Sequence, residues 1–258
     1  MEETPIPETG KDLSNKEFIK ALKKKNWSSY FKEFFMLFLA VFCGFLAENY
    51  RESLSNQTIE KDYMLSLVED LKSDTANLNS YISFRREKGH LMDSLAGMLV
   101  SQDHDELGNQ IYFLARQVFH ESPFVYSDGT IQQLKNAGNL RLIKKREVVE
   151  ELLKYEKKVI VLQDWDEKDN QTKATFRQLG GTVFDSKKLN ATMREDMSFV
   201  VPTDNPQLVT DDFQTLNELA FQVHYLSKMC LGNSMRATLL RADAVKLLEL
   251  IQREYQLD

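Results

Sequence analysis

The segment from Tyr30 to Tyr50, YFKEFFMLFLAVFCGFLAENY, limits the folds open to this chain more than any other feature. Its middle, Phe34–Ala47, contains no charged residue and lacks the polar face that a surface helix of a soluble protein shows at a helical period. The 21 residues of the whole segment span roughly 30 Å, which is the thickness of a bilayer core. We therefore predict one transmembrane helix over residues 30–50.

The ends of this segment carry residues that suit the two surfaces of a membrane. Aromatic side chains flank the segment, and Lys32 has a stem long enough to bring its charge to the lipid headgroups. Glu33 lies one residue further in, where a carboxylate is costly; it is a candidate functional residue that pairs with a partner helix or carries protons. The alternative is a shallow Glu33 that pairs with Lys32 or water. The predicted anchor residues are Trp27, Tyr30, Lys32, Glu33, Phe34, Phe35, Phe38, Phe42, Gly44, Phe45 and Tyr50.

Two other interpretations of the segment fit the sequence less well. A cleaved signal peptide needs small residues before its cleavage site, and here Phe45 stands two residues before Ala47. A lipoprotein site is disfavoured in the same way, because Phe42 precedes Cys43. A buried helix of a soluble protein would show a polar face, which this segment lacks.

The distribution of lysines predicts the orientation of the anchor. Seven lysines precede the apolar run, whereas the only basic residues in the fifteen positions after it are Arg51 and Lys61. Because the positive side stays in the cytoplasm, we expect a cytoplasmic tail over residues 1–29 and a periplasmic domain over residues 51–258, held in the inner membrane. Alternatively, the lysines at 20–25 form an amphipathic patch for anionic lipids with Phe18, Ile19 and Leu22, but a role in orientation alone is favoured.

The composition indicates a mostly helical protein and excludes several classes. Only 10 glycines and 5 prolines occur, so tight turns are few. The net charge of -6 gives the chain no basic footprint for nucleic acid. Cys43 lies in the apolar segment and Cys230 far from it, so we predict neither a disulfide nor a metal site.

Helical periodicity continues through most of the remaining chain. Residues 1–13 lack it and are expected to be disordered. The first pattern after the anchor is open to direct continuation from it, because no strong breaker lies between Tyr50 and Gln57. The predicted helices cover residues 57–99 as one helix or two stacked ones, 106–120, a short stretch from Asp128 to a stop at Gly138, 144–179 with Gly180-Gly181 as its end, and 211–255 with a weak point at Gly232.

Residues 181–210 break the helical character. Thr182–Phe184 and Ser198–Val201 are prone to form strands that pair briefly, and two prolines follow at 202 and 206. We therefore predict an all-α protein with one N-terminal transmembrane helix, followed by an antiparallel helical bundle with one irregular insertion. Because loops on a rigid scaffold often carry recognition, residues 181–210 are the candidate surface for a partner.

Three stretches resemble a family of uncharacterised single-anchor membrane proteins of the Bacteroidota. The first is the anchor, with Glu33 before the apolar run and Asn49, Tyr50 and Glu52 after it; the others are YMLSLVEDLKSD and TIQQLKNAGNLRLIKKREVVEELLKY. The anchor departs from the family in its richness in Phe and in having Tyr50 where Trp is usual. The resemblance implies the same topology and fold, and it implies no activity. The family-like positions of the second and third stretches are Tyr63, Leu67, Asp70, Leu71, Asp74, Thr130, Leu134, Gly138, Leu140, Leu142, Ile143 and Tyr155.

No group of residues forms a convincing catalytic or cofactor site. Glu87 and His90 make one Glu-x-x-His step, but a di-iron bundle needs two such steps and two more glutamates. The stretch Asn136–Leu140 lacks the glycines of a phosphate loop and is interpreted as a helix-ending turn. The acids Glu69, Asp70 and Asp74 have the spacing of an exposed helix face.

Two functional hypotheses remain. The first is an interaction protein, a scaffold or accessory subunit whose periplasmic bundle binds another envelope protein or a second copy of itself. The second is a periplasmic ligand sensor, which would have to signal through a partner because residues 1–29 are short for an output domain. An enzyme is disfavoured, because no acid–base, nucleophile or metal constellation is assembled. The partners expected are the lipid bilayer and a protein, with no nucleic acid and no cofactor.

Overall fold

The computed structural model describes residues 12–257, and among residues 12–26 it describes only the side chain of Lys20. This part of the chain is all-helical and contains no strand. Its α-helices are α1 (Asp12–Leu99), α2 (Gly108–Gln117), α3 (Gly129–Asn136), α4 (Arg146–Val183), α5 (Ser186–Asn190) and α6 (Phe213–Tyr255). Two 3₁₀ turns lie at His104–Glu106 and Asn139–Leu142.

The chain divides into two units, one ending at Ile59 and the other beginning at Glu60. The first contains the apolar part of α1, which begins at Trp27 and is long and apolar enough to cross a membrane. Helix α1 is continuous, so the open question of one helix or two is answered in favour of one. Of the predicted disordered tail, residues 1–11 lie outside the description, as do the side chains of the basic patch at 20–25 except Lys20, whereas Asp12 and Leu13 are helical.

The second unit has two apolar cores, and the three long helices contribute to both. The first core is formed by Met64–Tyr81 of α1, α3, the first half of α4 and the last third of α6. The second is formed by Met92–Leu99 of α1, α2, the end of α4 and the first half of α6. Each long helix therefore leaves one core and enters the other along its length.

Contacts between the long helices occur in a consistent order. Residues further along α1 contact residues earlier in α6. Glu60 contacts Tyr255, Ile82 contacts Ser234, and Asp93 contacts Ser227, so the α6 residue numbers descend as the α1 numbers rise. Contacts of α1 with α4 ascend instead, with Asp74 bonded to Tyr155 and Arg85 to Asp169. Contacts of α4 with α6 descend again, from the pair Lys158 and Asp243 to the pair Thr172 and Met229.

Several predicted boundaries are confirmed and others are wrong. Helix α3 begins after Asp128, and Gly138 follows it with a φ of 66°, a left-handed conformation that glycine adopts without strain. The predicted stop at Gly180-Gly181 is wrong, because α4 continues to Val183 and Phe184 N donates to Gly180 O at 2.9 Å. Packing of Phe176 and Phe184 in the second core outweighs the helix propensity lost at the two glycines.

The irregular insertion is shorter than predicted. Thr182 and Val183 are helical rather than extended, and residues 186–190 form α5. The predicted pairing of Thr182–Phe184 with Ser198–Val201 is wrong. The second segment pairs instead with the residues just before it, where Val200 N donates to Thr192 O at 2.8 Å and Met193 bridges Phe199. Helix α6 passes through Gly232 without a break, and α2 begins at Gly108 because residues 104–106 form a 3₁₀ turn.

Candidate functional site: a buried charge cluster between two cores

A layer of charged side chains separates the two apolar cores of the second unit. On α1 it lies between Tyr81 of the first core and Met92 of the second. We call it the polar layer, and its charged members are Arg85, Lys88, Glu121, Asp166, Asp169 and Lys173. Three are cations and three are anions, so the layer is formally neutral. Charged side chains are rarely buried unless they are paired, which makes this cluster the most unusual feature of the unit.

Arg85 is the centre of one half of the layer. Its guanidinium is 2% exposed and donates from Nη1 to Asp169 Oδ2 and from Nη2 to Asp166 Oδ1, both at 2.5 Å. Asp166 also accepts hydrogen bonds from the Tyr81 hydroxyl and, at 3.1 Å, from Asn233 Nδ2 of α6. The guanidinium carbon lies 5.2 Å from the Tyr81 ring centre. This half therefore joins α1, α4 and α6 through one arginine.

Glu121 is the centre of the other half. Its Oε1 lies 2.7 Å from Lys88 Nζ and 2.5 Å from Lys173 Nζ. Lys88 Nζ also donates to the carbonyl oxygens of Val118, at 3.0 Å, and His120, at 2.5 Å. Both lysines are buried, and Lys88 has three acceptors for the three protons of its ammonium group. The segment after α2 is thereby held against α1 and α4.

Burial and pairing shift the pKa values of the layer in different directions. Burial raises the pKa of Asp169, with Arg85 acting in the opposite direction, and burial lowers the pKa of Lys88. Burial also works against ionised Glu121, but Lys88 and Lys173 outweigh it and lower the pKa of Glu121. Asp169 Oδ1 and Arg85 Nε are buried without a hydrogen-bond partner among the described residues. The charged state of the layer therefore depends on its ion pairs remaining complete.

The arrangement suits the selection of one helix register better than chemistry on a substrate. The acidic groups are bonded to arginine, lysine, tyrosine or asparagine, although Asp169 Oδ1 has no partner among the described residues. Asp166 and Asp169, which both bind Arg85, lie one turn apart on α4. A shift of α4 by one turn along α1 would therefore leave Arg85 with at most one of them and would separate Lys173 from Glu121, at a cost of several kcal/mol. Removing water from charges usually cancels most of the gain in stability from such pairs, so their principal effect is on specificity.

The predicted anchor residues all lie on α1 with exposed side chains. The rings of Phe34, Phe38 and Phe42 follow one another at 6.4 and 5.9 Å between centres, so they form a row on one face of the helix. Glu33 accepts a hydrogen bond from Ser29 Oγ at 3.4 Å, one turn away. Residues 30–50 therefore form an apolar helical stretch whose side chains are exposed around its full circumference.

The Glu87–His90 step assembles no larger site in the structure. Both side chains are exposed, and the described residues contain no group of three or more His, Cys, Asp or Glu placed to hold a metal ion. Glu87 lines a cavity of about 100 Å³ with Lys88 and His120. The His120 ring packs edge-on against Phe84 and Phe199, with both centre-to-centre distances 5.1 Å. His224 lies 3.1 Å from Asp93 at the surface.

The structure brings together the two stretches that carry the family resemblance. The expectation that Asp74 is exposed is wrong, because it is 1% exposed and accepts hydrogen bonds from Ser127 N and the Tyr155 hydroxyl, both at 2.8 Å. Asp70 accepts from Thr130 N at 3.2 Å. Both aspartates therefore lie at the start of α3, where free backbone N–H groups and the helix dipole favour negative charge.

Sequence analysis missed the acidic half of the polar layer. Arg85–Lys88 interrupts the apolar pattern of α1, but Glu121, Asp166 and Asp169 were not singled out. A signal was present, because the buried positions of α4 continue in steps of three or four from Leu162 to Phe176 through Asp166, Asp169 and Lys173. A helical stripe that keeps its period while becoming charged indicates a buried polar layer.

Comparison with known proteins adds no identification. No protein family, no curated protein and no solved structure matched the chain.

Proposed function

We propose that this chain is a single-pass inner-membrane protein that presents a periplasmic helical bundle for binding another protein. The observation that carries the proposal is the apolar part of α1, in which residues 30–50 have exposed side chains and no charged residue lies between Phe34 and Ala47. Exposed apolar surface on this scale marks a membrane or partner contact. The lysine-rich side and the resemblance to single-anchor proteins of the Bacteroidota support a cytoplasmic tail over residues 1–29.

The proposal includes a bundle of α1, α4 and α6. The descending contacts of α6 with both other helices support its antiparallel orientation to them. The ascending contacts of α1 with α4 support a parallel pair, so the bundle proposed here is antiparallel in two of its three helix pairs.

A binding role for protein, rather than for a small ligand, is favoured by the size of the enclosed cavity. The cavity beside Lys88 measures about 100 Å³, whereas pockets for small molecules measure about 300–1,000 Å³. The larger space of about 470 Å³ between α1 and α6 is an open surface groove. The ligand-sensor hypothesis predicts that a metabolite raises the melting temperature of the full chain in detergent. The interaction hypothesis predicts no such shift across a broad metabolite panel.

The irregular insertion is a candidate surface for a different protein. It exposes Met197, Val201 and Val209, and Arg116 of α2 holds it by donating to Leu189 O at 2.7 Å. Replacing the three exposed residues by glutamate should remove co-purifying envelope proteins after cross-linking in cells. The matched control is Val125→Glu, an equally exposed apolar residue on another loop.

The first test concerns the side of the membrane. With a tag at the C-terminus, protease added to intact spheroplasts should remove the tag, while the tag is found in the membrane fraction beforehand. A cytoplasmic protein probed in the same sample must stay intact. Protection of the tag would place the bundle in the cytoplasm and reverse the orientation that the lysines predict.

A further inference from the structure

The outer face of α6 carries an exposed row of large apolar side chains. We call Phe221, Tyr225, Met235 and Leu239 the α6 outer row. From Phe221 to Leu239 the exposed positions include 221, 225, 228, 235 and 239, and with the half-buried Gly232 they alternate steps of four and three residues; His224 and Thr238 beside them are exposed as well. This is the spacing of the contact positions of a coiled coil, and it lies opposite the buried face of the helix.

We infer that the α6 outer row is the docking surface for a second copy of this chain, which pairs through its own α6 in parallel. The inference deepens the proposed function, on which it rests, by naming the partner. In a parallel pair related by a two-fold axis, each position of the row meets its own counterpart, so four apolar side chains meet four identical ones.

The area available reaches the lower limit for a specific dimer. The four side chains are 66, 52, 69 and 61% exposed, so at about 200 Å² for a large side chain they offer roughly 500 Å² per copy. Two copies together bury roughly 1,000 Å², the least area expected of a specific interface, whereas a standard interface takes about 800 Å² from each partner. The row alone therefore fits a small, reversible interface.

The surface beside Phe221 has room for an aromatic ring from the second copy. On one side lies an open groove of about 470 Å³ between the end of α1 and α6. It is lined by the small residues Ala96, Gly97 and Ala220, and a side chain added at Gly97 would contact nothing within 4 Å. A projecting ring beside an open groove is complementary to itself, which is the requirement for a symmetric interface.

The α6 outer row and the two positions between its halves, 228 and 232, form the seam of the proposed pair. Positions 228 and 232 are compatible with close approach of two helices. Gly232 has no side chain to separate two helices. Lys228 is the one charged residue between Phe221 and Leu239 on this face, and its Nζ lies 3.2 Å from Asp93, away from the seam. Two facing lysines weaken a dimer, so Lys228 limits affinity and helps to keep the association reversible.

The test is the mass of the full-length protein in detergent, measured by light scattering with the detergent subtracted. The wild type should have the mass of two chains and the Phe221→Glu/Leu239→Glu variant that of one. The control Val125→Glu/Ile160→Glu changes two exposed apolar residues elsewhere and should remain a dimer. A monomeric wild type, or a dimer that survives the two glutamates, overturns the inference.

A second variant tests the parallel register by strengthening the dimer, whereas the first variant weakens it. Lys228→Leu should lower the concentration at which the dimer dissociates, by about tenfold or more, because it removes like charges and adds apolar contact. An unchanged or higher dissociation concentration counts against the parallel seam. In a Cys43→Ser background, Met235→Cys should form an intermolecular disulfide faster than Met197→Cys, and equal rates count against it as well.

Failure of this inference is distinguishable from failure of the proposed function. A monomer whose tag is cleaved in spheroplasts contradicts the dimer and leaves the membrane topology standing. A dimer whose tag is protected contradicts the membrane topology and leaves the dimer standing.

Discussion

At the residue scale, Arg85 and Glu121 determine how the second unit tolerates change. Each is surrounded by groups of the opposite charge; Arg85, Lys88 and Lys173 are buried, whereas the Glu121 side chain is 34% exposed. Removing one member of such a set leaves a buried charge without compensation, which destabilises far more than the intact pair stabilises. The predictions at this scale therefore concern single substitutions that preserve shape and remove charge.

Asp169→Asn should lower the free energy of unfolding by about 3–5 kcal/mol. The amide keeps the volume of the side chain but leaves Arg85 with one fewer carboxylate at 2.5 Å. Urea unfolding of the full chain in detergent measures the difference. Glu167→Gln, on the exposed face of the same helix, is the control and should change the value by less than about 0.5 kcal/mol. Equal effects of the two variants would show that the buried pair contributes nothing specific.

The contribution of Glu121 should depend on pH. Its pKa is lowered in the folded chain, so the stability it adds is fully present above the ordinary glutamate pKa of about 4.3 and is lost as pH falls through the folded pKa. The difference in unfolding free energy between wild type and Glu121→Gln should therefore be constant from pH 6 to 7 and shrink below about pH 4. A difference that grows on acidification contradicts the assignment of Lys88 and Lys173 as its partners.

At the scale of helices, α1 and α6 approach most closely where the polar layer crosses them. A side chain at Gly89 would lie 2.7 Å from Leu231 Cγ and 3.3 Å from Ser227 O. The absence of a Cβ is therefore required by the neighbouring helix, and not by the backbone conformation of α1. In the sequence this glycine looks like a weak point in a helix, whereas in the structure it is a contact.

Gly89→Ala should destabilise the chain by about 1–3 kcal/mol, because the added methyl group overpacks the contact with Leu231. Helix propensity alone predicts the opposite sign, a gain of about 0.5–1 kcal/mol. Gly181→Ala in α4 is the matched control, since nothing lies within 4 Å of its added Cβ, and it should show that gain. Thermal or urea unfolding of both variants decides between packing and propensity.

At the scale of the whole molecule, one segment of α1 is long and apolar enough to cross a membrane. The side chains of residues 30–50 are exposed, so the apolar stretch has no partner within the described chain. Its length matches a bilayer, and the aromatic residues at both ends suit the membrane interface. The prediction at this scale concerns a variant in which that segment loses its preference for lipid over water while the second unit is unchanged.

Val41→Arg/Gly44→Arg should release the chain from membranes washed with alkaline carbonate. Each arginine at the centre of a spanning helix costs about 2.5–3.5 kcal/mol, and two together remove most of the preference for lipid. The control Leu54→Arg/Leu65→Arg changes two exposed leucines of the same helix outside residues 30–50 and should stay in the membrane pellet. Retention of both variants would show that another part of the chain holds it there.

The sequence by itself determined the helical class and the exceptional nature of residues 30–50. Both follow from local information, because helical period, breaker content and an uncharged run of bilayer length are visible along the chain. It also determined most helix positions, including α3 and its end at Gly138, because a left-handed glycine is a local signal. The end of α4 could not be predicted from local sequence, because Phe176 and Phe184 pack with distant residues in the second core and the helix continues past Gly180-Gly181.

Only the tertiary structure decided which charges meet. Arg85 and Asp169 are 84 residues apart in sequence, and Asp74 and Tyr155 are 81 apart. A charge on a helix has the same local pattern whether it faces water or a complementary charge on another helix. The pairing within the polar layer, the burial of Asp74 and the exposed row on α6 could therefore be recognised only once the three long helices had been placed side by side.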